Sequence, residues 1–335
     1  MDWQYVLILQ LGLLLVLIVA GVPVVIAFFA LNIVGAWIFL GDMAGLQLLV
    51  SNSFDSVTKF SLVPIPLFIL MGEILYHSGV AVKAVDAVDK LISKVPGRLS
   101  LVSIVSGTIF SALSGSSIAN AAMLGSTVLP EMTKRGYHPV VSVGPILATG
   151  GIAALIPPSG LAVLLGSLAE IPIAELLMGG IVPGILMAVL FFVYVVIRCL
   201  INPSLAPTYD IGRLTFRQRF KPIVIYVVPL SILIFAVIGT MIFGIASPNE
   251  SSAFGVLGAV VVAAFYRGLS RKVILASLRE TAKISGMILF ILTASITFSQ
   301  ILAFSGATQG FLNFVKSFDL SSFELVIAII FILLF

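Results

Sequence analysis

An all-α polytopic membrane protein is the fold class that the sequence predicts, from three observations. The chain of 335 residues is 60% hydrophobic and only 10% charged, whereas soluble domains carry about 25% charged residues. Its mean hydropathy is +1.23, and apolar runs recur along the whole length. These runs lack the alternating polarity of membrane β-strands, so we expect the spanning segments to be helical.

The first apolar run, residues 5–20, is predicted to be a retained membrane helix and not a cleaved signal peptide. Its flank carries Asp2 and lacks Lys or Arg, and Gly21-Val22-Pro23 leads at once into another apolar run. A signal peptide would show a basic flank and a small-residue cleavage site. We therefore expect two consecutive membrane helices here.

Hydropathy and helix-breaking residues together predict the order of the elements. A surface segment at 80–96 and a hairpin at 99–133 interrupt a series of membrane crossings. The crossings are predicted at 4–20, 23–40, 61–78, 139–168, 176–198, 222–245, 251–266 and 284–304, and a last apolar run covers 322–335.

Basic residues divide unevenly between the loops that these crossings define. Two of the 18 Lys and Arg residues, Lys59 and Lys316, fall on one predicted face. The others fall on the opposite face: Lys83, Lys90, Lys94, Arg98, Lys134, Arg135, Arg198, Arg213, Arg217, Arg219, Lys221, Arg267, Arg271, Lys272, Arg279 and Lys283. Because Lys and Arg are enriched in cytoplasmic loops, this face is predicted to be cytoplasmic and the N-terminus periplasmic. The net charge of +4 therefore indicates topology and no nucleic-acid partner.

The segment 80–95 is predicted to be an amphipathic helix. Its apolar residues recur at helical spacing, opposite a set of charged residues. The apolar set is Val82, Val85, Val88, Ile92 and Val95, and the charged set is Lys83, Asp86, Lys90 and Lys94. This pattern is typical of a helix that lies along a membrane surface. A helix in a soluble loop is the alternative interpretation.

Residues 99–137 turn small and polar within an otherwise apolar sequence. Two arms of about 15 residues flank Ser114-Gly115-Ser116-Ser117, and each is shorter than the about 20 residues that a helix needs to cross a bilayer. Basic residues stand at both outer ends. A re-entrant hairpin is therefore predicted, with its tip at membrane depth, where non-helical backbone must be buried in protein or line a watery cavity.

A weak internal repeat with an offset of 227 residues relates the two halves of the chain. The segments 69–80 and 296–307 both end a crossing in Ser-Gly and lead into an amphipathic stretch. Five predicted crossings separate the copies, and an odd number inverts their orientation. Inverted repeats with broken helices are typical of secondary transporters. In this register, 322–335 is the first arm of a second re-entrant hairpin, and we expect the sequence to be truncated there.

The run 140–168 is predicted to be a broken helix with two interruptions, at Thr149-Gly150-Gly151 and at Ile156-Pro157-Pro158-Ser159-Gly160. The first proline disfavours the α conformation of the residue before it, and each proline removes a backbone donor. A simple proline kink is the alternative. Consecutive prolines beside Gly and Ser free several carbonyls, which favours two half-helices joined by an extended peptide.

The hairpin tip and this break together offer the chemistry of an ion and anion site. Oxygen ligands without a buried carboxylate suit sodium, a hard cation, and half-helix N-termini after Ser116 and Pro158 carry partial positive charge, which suits an anion. The sodium candidates are Ser114, Gly115, Ser116, Gly150, Gly151 and Ile156, and the substrate candidates are Ser116, Ser117, Asn120, Pro158 and Ser159. Close helix packing is the alternative, and it is preferred for Ser103, Gly107, Ser111, Gly125 and Ser126.

Two acids, two histidines and one cysteine are the other candidates for a chemical role. Glu73 lies within a crossing, where an acid is costly and by default functional, yet it could also reach the nearby interface; both interpretations stay open. For Glu250, after Ser-Pro-Asn, a role at a helix N-terminus is preferred. His77 and His138 are isolated and are assigned to the interface. The lone Cys199 excludes an internal disulfide, and the absence of a nucleophile–base pair argues against an enzyme.

Five motifs in this order resemble the large membrane (M) subunit of tripartite ATP-independent periplasmic (TRAP) transporters. They are Pro64–Glu73, Ser114–Ser117, Lys134–Tyr137, Ile156–Ser159 and Ser247–Glu250. The resemblance covers essentially the whole chain, although Asn249 replaces the family's more frequent threonine and the family continues past residue 335 with a second hairpin and broken helix. It implies an inverted-repeat secondary transporter of the elevator type, with re-entrant hairpins and broken helices, in the bacterial inner membrane.

The resemblance further implies sodium-coupled, binding-protein-dependent import of a small organic acid, such as a C4-dicarboxylate or sialic acid, with sodium ion co-transported. The implied partners are a small four-helix membrane (Q) subunit and a periplasmic substrate-binding (P) protein, which selects the substrate. Two alternatives are a self-sufficient sodium/anion symporter of the same superfamily and a non-transporting membrane scaffold.

The predicted organisation follows from the repeat and the resemblance. First-repeat scaffold helices at 1–78 precede a cytoplasmic amphipathic arm at 79–98. Residues 99–198 hold the first hairpin, the broken helix and the following helix, which together form half of the transport domain. A basic cytoplasmic linker follows at 199–221, and the second-repeat scaffold helices cover 222–304. An outer amphipathic arm is predicted at 305–320, and the first arm of the second hairpin at 321–335.

Overall fold

A computed structural model of the chain describes residues 2–92, 95–207 and 215–334, and every regular element in those ranges is a helix. Lys94 and Arg213, two of the basic residues behind the predicted topology, lie outside these ranges. The α-helices are α1 (Trp3–Val19), α2 (Val24–Phe39), α3 (Asp42–Val57), α4 (Pro64–His77), α5 (Val80–Leu91), α6 (Arg98–Ser114), α7 (Ser117–Thr127), α8 (Leu129–Lys134), α9 (Pro139–Leu155), α10 (Gly160–Leu168), α11 (Ile173–Ile201), α12 (Phe216–Pro222), α13 (Val228–Ile242), α14 (Pro248–Phe265), α15 (Arg271–Phe304), α16 (Ala307–Lys316) and α17 (Ser322–Leu334). Short 3-10 helices cover Phe60–Leu62 and Pro203–Leu205, and a π-helix covers Ile223–Val227.

Several of these helices are long and apolar enough to cross a membrane, which confirms the all-helical polytopic fold class. By length and composition, the described residues contain five such segments: 60–77, 173–201, 216–242, 248–265 and 271–304. A sixth results if α9 and α10, which meet at a bend of 44°, count as one span. With 17 and 16 residues, α1 and α2 are no longer than the hairpin arm α6, so their assignment as crossings stays a prediction.

Among the described residues, α3 is a helix that the hydropathy pattern missed, and two spanning segments begin earlier than predicted, at Phe216 and at Arg271. Helix α3 fills the interval between the predicted crossings at 23–40 and 61–78. Helix α15 begins at Arg271 and not near 284, so its basic first half is helical and not a loop. In the repeat register of 227 residues, α3 corresponds in sequence to this first half of α15. Both segments mix polar and apolar residues, so a search for purely apolar runs passes over them.

The repeat is visible at the level of single hydrogen bonds. Gly79 and Gly306, which are 227 residues apart, precede α5 and α16 with φ angles of +74° and +77°. The hydroxyls of Ser78 and Ser305 each donate to a carbonyl three residues back, at 3.1 and 2.9 Å. A positive φ favours glycine, so the two copies use the same residue types to make the same turn.

The chain forms two compact units, one of residues 1–59 with 286–335 and one of residues 60–285. In the first unit, α2 of the first repeat packs against α15 of the second. Asn32 Nδ2 donates to Ala294 O at 2.8 Å and to Thr297 Oγ1 at 2.6 Å, and the Phe28 and Phe298 rings are 5.1 Å apart.

In the second unit, α4 of the first repeat packs against α14 of the second. A Cβ atom at Gly255 would lie 2.8 Å from Met71 Sδ. Shifted by 227 residues, this pair becomes Phe28 and Phe298. Each unit therefore combines helices of both repeats in the same register, while the predicted scaffold and transport divisions stay a prediction.

The residues 98–137 form a hairpin. Its first arm is α6, and its second arm is α7 followed by α8. At the open end, Leu99 N–H donates to Tyr137 Oη at 3.5 Å, and the Ser100 hydroxyl donates to Val141 O. The chain therefore leaves and returns at the same end, as a re-entrant segment requires.

Arg98 joins the amphipathic helix α5 to the hairpin. Its guanidinium lies 2.8 Å from Asp89 Oδ2 and donates to Ile92 O and Asp89 O, at 2.6 Å each. Burial raises the pKa of the Asp89 carboxyl, and the neighbouring Arg98 charge opposes that rise. Arg98 thus binds carbonyls at the C-terminal end of α5 from the first turn of α6.

Of the apolar set predicted at 80–95, Val85 and Val88 are buried. Val82 is half-buried, and Val95 is exposed beyond the end of α5. Small residues complete the buried face instead, namely Ala81, Ala84 and Ala87.

Candidate functional site

The hairpin tip lies directly against the break between α9 and α10. Gly115, with φ +56°, would bring a Cβ atom to 2.8 Å from Pro158 O and 3.3 Å from Gly160 N. Two segments whose backbone is not helical therefore touch each other, as the sequence predicts. Only glycine allows both the positive φ and this close approach.

A third helix closes the site from another side. A Cβ atom at Gly72 of α4 would collide with the backbone of Ser114, the last residue of α6. The side chain of Ile65, also on α4, lies 3.9 Å from the equivalent position at Gly160. Helix α4 therefore packs against both the tip and the start of α10. The small residue at position 72 is the signal for this contact in the sequence, and the predicted site did not include it.

The two half-helices that begin at the site have the same N-terminal geometry. Ser116 and Ser159 have backbone angles of −125°, 115° and −120°, 116°. Their hydroxyls accept from Ala119 N–H at 3.3 Å and Ala162 N–H at 3.2 Å. Both serines are thus N-caps of α7 and α10, and the other first-turn N–H groups remain for water or a ligand. The second half-helix begins after Ser159, one residue later than predicted.

Buried side chains form a hydrogen-bonded chain behind the tip. Asn120 Nδ2 donates to Ser111 Oγ at 2.9 Å, and Ser111 Oγ donates to Thr149 O at 2.9 Å. Asn120 Oδ1 is buried and finds no hydrogen-bond partner among the described residues. The prediction that Ser111 serves only close packing missed this role, and Thr149 was considered only as a helix breaker.

The predicted interruption at 149–151 does not occur, because α9 continues without a break to Leu155. Backbone groups inside a membrane must stay paired, and two glycines in a helix cost only about 1 kcal/mol each, so the helix persists. A Cβ atom at Gly150 would lie 3.3 Å from Ser117 O, whereas Gly151 is exposed with open space around it. The structure therefore brings Gly150 to the tip and leaves Gly151 on the other side of the helix.

The remaining candidates divide by exposure. Ser114 is buried, and its hydroxyl accepts from Ser116 N–H and donates to Ser116 O, both at 3.3 Å. Ile156 ends α9 with its N–H on Ile152 O at 2.9 Å. Ser117 is exposed at the tip. The site thus has a buried side, which holds Ser114 and Asn120, and an exposed side at Ser117.

The two acids weighed from the sequence have different environments. Glu250 Oε2 accepts from Ser247 N–H at 2.7 Å and from its hydroxyl at 2.8 Å, which confirms the preferred role at a helix N-terminus. Glu73 is buried, and its Oε2 lies 3.2 Å from His77 Nε2. The expectation that His77 is isolated is therefore wrong, and the role of Glu73 stays open.

Comparison with known proteins identifies the family to which the sequence is similar. The family described as "Tripartite ATP-independent periplasmic transporter, DctM component" matches residues 11–335. The ectoine/5-hydroxyectoine TRAP transporter large permease of Ruegeria pomeroyi is 30% identical over 90% of this chain and 69% of its own length. The C4-dicarboxylate TRAP transporter large permease of Rhodobacter capsulatus is 28% identical over 96% and 75%.

A third relative, the isethionate TRAP transporter permease DctMQ of Oleidesulfovibrio alaskensis, is 28% identical over 84% of this chain and 46% of its own length. The family match covers nearly the whole sequence and agrees with the resemblance carried by the five motifs. The chain therefore belongs to the family of TRAP transporter large membrane subunits, and it is a multi-pass membrane permease and not an enzyme.

Proposed function

We propose that the chain is the large permease subunit of a sodium-coupled, binding-protein-dependent importer of a small organic acid. The observation that carries this proposal is the contact between the hairpin tip and the α9–α10 break, where Gly115 approaches Pro158 O. Two interruptions of regular backbone that meet inside a membrane protein concentrate polar groups at one place. Membrane proteins accept such groups where they line a binding cavity.

Sodium is the co-transported ion in this proposal, and the buried side of the site binds it. Asn120 Oδ1 is a buried acceptor without a partner among the described residues, which costs free energy unless a ligand compensates it. A hard cation compensates such an oxygen without a buried carboxylate. Backbone and hydroxyl oxygens of the tip and of the break complete the ligand set, namely those of Ser114, Gly115, Ser116 and Ile156. Gly150 lies in the continuous helix α9 and allows the tip to approach.

The substrate acid binds at the N-termini of α7 and α10, next to the exposed Ser117. Each N-terminus offers unpaired N–H groups and partial positive charge to a carboxylate. Ser116 and Ser117 lie at the first of these N-termini and the buried residues Pro158 and Ser159 at the second. Asn120 orients the helix that follows Ser116. The relatives named for ectoines, for C4-dicarboxylates and for isethionate support a small organic substrate and leave its identity to a binding protein.

The complete transporter includes a small four-helix membrane subunit and a periplasmic substrate-binding protein. In this transporter, the face that carries most of the Lys and Arg residues is cytoplasmic and the N-terminus is periplasmic. The transport domain that contains the hairpin moves across the inner membrane in an elevator-type cycle. A self-sufficient symporter of the same superfamily is the alternative, and transport measurements distinguish the two.

Sodium binding is tested first, by the thermal unfolding of the purified protein in sodium chloride and in potassium chloride. A ligand that binds the folded state raises the melting temperature, so we expect sodium to stabilise the wild type relative to potassium. Asn120→Ala should lose most of this difference, since it removes the buried acceptor. Ser126→Ala is the matched control, because that hydroxyl bonds only to Met123 O of its own helix, at 3.0 Å, among the described residues.

Equal melting temperatures of the wild type in the two salts would contradict the sodium assignment. Transport is then measured in liposomes with the two partner subunits present or omitted. Uptake should require sodium and the binding protein. Uptake without the binding protein would support the self-sufficient symporter instead.

A further inference from the structure

A basic cleft lies beside α12, apart from the site at the hairpin tip. Lys90 of α5 and four residues of α12 line it, and its volume is about 460 Å³. That volume falls within the range of about 300–1,000 Å³ in which small-molecule sites lie. The residues from α12 are Arg217, Gln218, Lys221 and Pro222.

Among the residues that the structure describes, the lining of the cleft carries three positive charges and no carboxylate. Asp89, the acid next to Lys90, lies 2.8 Å from the Arg98 guanidinium, so its charge is already compensated there. Asp86, one turn earlier on α5, is exposed and is not part of the lining. The cleft is therefore suited to an anion with more than one oxygen, because Arg and Lys bind phosphate oxygens through charge-assisted hydrogen bonds.

Aromatic side chains border the same cations. The Phe216 and Phe220 rings are 4.3 Å apart, and 75% of Phe216 is exposed. Thr215 N–H donates to Gln218 Oε1 at 2.9 Å, which fixes the start of α12. Exposed aromatic residues next to Lys and Arg at the end of a spanning segment are typical of the headgroup region of a bilayer.

The surrounding surface has the same character. Lys83, seven residues before Lys90 on α5, has its ammonium 5.9 Å from the ring centres of both Tyr226 and Tyr266. The Tyr266 hydroxyl donates to Ile225 O in the π-helix. The contacts place α5 beside the π-helix of the spanning segment 216–242, and the basic cleft lies toward the N-terminal end of that segment.

We propose that this cleft binds the phosphate of an anionic phospholipid. Lys90, Arg217 and Lys221 contact the phosphate oxygens, and Phe216 and Phe220 lie against the start of the acyl chains. Basic pockets at the ends of membrane helices bind anionic headgroups in this way. A bound lipid would join α5, and through Arg98 the hairpin, to the first turn of the spanning segment at 216–242.

The experiment compares lipids in the purified full chain. Thermal unfolding is measured with phosphatidylglycerol, with phosphatidylcholine and with inorganic phosphate alone, and bound lipid is counted by native mass spectrometry. The variant pair Arg217→Gln, Lys221→Gln removes two charges from the cleft. The matched control, Arg271→Gln, Lys272→Gln, removes two exposed charges from the same predicted face outside the cleft.

We expect the melting temperature of the wild type to be higher with phosphatidylglycerol than with phosphatidylcholine. The cleft variant should bind phosphatidylglycerol about fivefold more weakly for each charge removed, and the control should bind it as the wild type does. The difference should shrink at high salt. Equal retention of the two lipids, or equal losses in both variants, would overturn the proposal. Protection by inorganic phosphate as strong as that by phosphatidylglycerol would assign the cleft to a soluble phosphate instead.

Discussion

Asn120 and Gly115 explain why the tip of the hairpin carries the candidate site. The Asn120 amide is held by Ser111 through its nitrogen, at 2.9 Å, so its oxygen, which has no partner among the described residues, has a fixed position. Gly115 allows the chain to reverse beside Pro158 O without a steric conflict. Asn120 provides a polar atom for the site, and Gly115 permits the close backbone approach that forms it.

At the residue level, we expect Gly115→Ala to destabilise the protein. A side chain would be strained at φ +56° and would lie 2.8 Å from Pro158 O, and such strain costs about 1–3 kcal/mol. Scanning fluorimetry in sodium chloride measures the melting temperature. Gly125→Ala is the control, because a Cβ atom there meets no atom within 4 Å and alanine favours the helix. A melting temperature of Gly115→Ala at or above that of Gly125→Ala would contradict the close approach.

Arg98, the first residue of α6, links the hairpin to helix α5. Its guanidinium binds the carbonyls of Asp89 and Ile92, at 2.6 Å each, and these groups otherwise lack a partner at the end of a helix. The position of the hairpin at its open end therefore depends on Arg98, whose predicted role was only that of a cytoplasmic charge.

We expect Arg98→Leu to lower the free energy of unfolding by about 1–3 kcal/mol, since it leaves two half-buried carbonyls and a carboxylate without this donor. The shift is measured by thermal unfolding, together with the rate of proteolysis between α5 and α6. Lys134→Leu is the control, because Lys134 is an exposed residue of the same region. Indistinguishable unfolding of the two variants would show that Arg98 contributes charge alone.

At the level of the whole molecule, neither repeat forms a compact unit by itself. α2 packs against the second half of α15, and α4 packs against α14, so each unit takes helices from both copies. The two copies consequently have to be present before either unit can bury its apolar faces.

The orientation of the whole chain is tested with single cysteines in a Cys199→Ala background. We expect Lys134→Cys and Lys272→Cys to react with a membrane-impermeant maleimide from the cytoplasmic side, because basic loops are retained there. Lys59→Cys and Lys316→Cys should react from the periplasmic side. Labelling of Lys134→Cys and Lys59→Cys from the same side would contradict the predicted topology.

Several features could be predicted from residue patterns because they rest on local chemistry. Apolar composition indicates membrane helices, since backbone groups in lipid must be paired within a helix. Consecutive prolines at 157 and 158 indicate a break, and the turn at Ser78-Gly79 recurs at Ser305-Gly306 because both depend on residues next to each other in the sequence. The positions of the tip, the break and the amphipathic helices follow from such rules.

Other features depend on which distant segments meet, and no local pattern encodes that. Helix α3 was missed because its polar residues hide a helix that packing stabilises, and the continuous helix through Gly150 was missed because helix propensity is weak beside the need to pair backbone groups in a membrane. The exchange of helices between the repeats, the contact of Gly72 with Ser114 and the bonds from Asn120 through Ser111 to Thr149 all join residues far apart in the chain. Such contacts exist only once the chain has buried its apolar faces together, which is a property of the folded molecule.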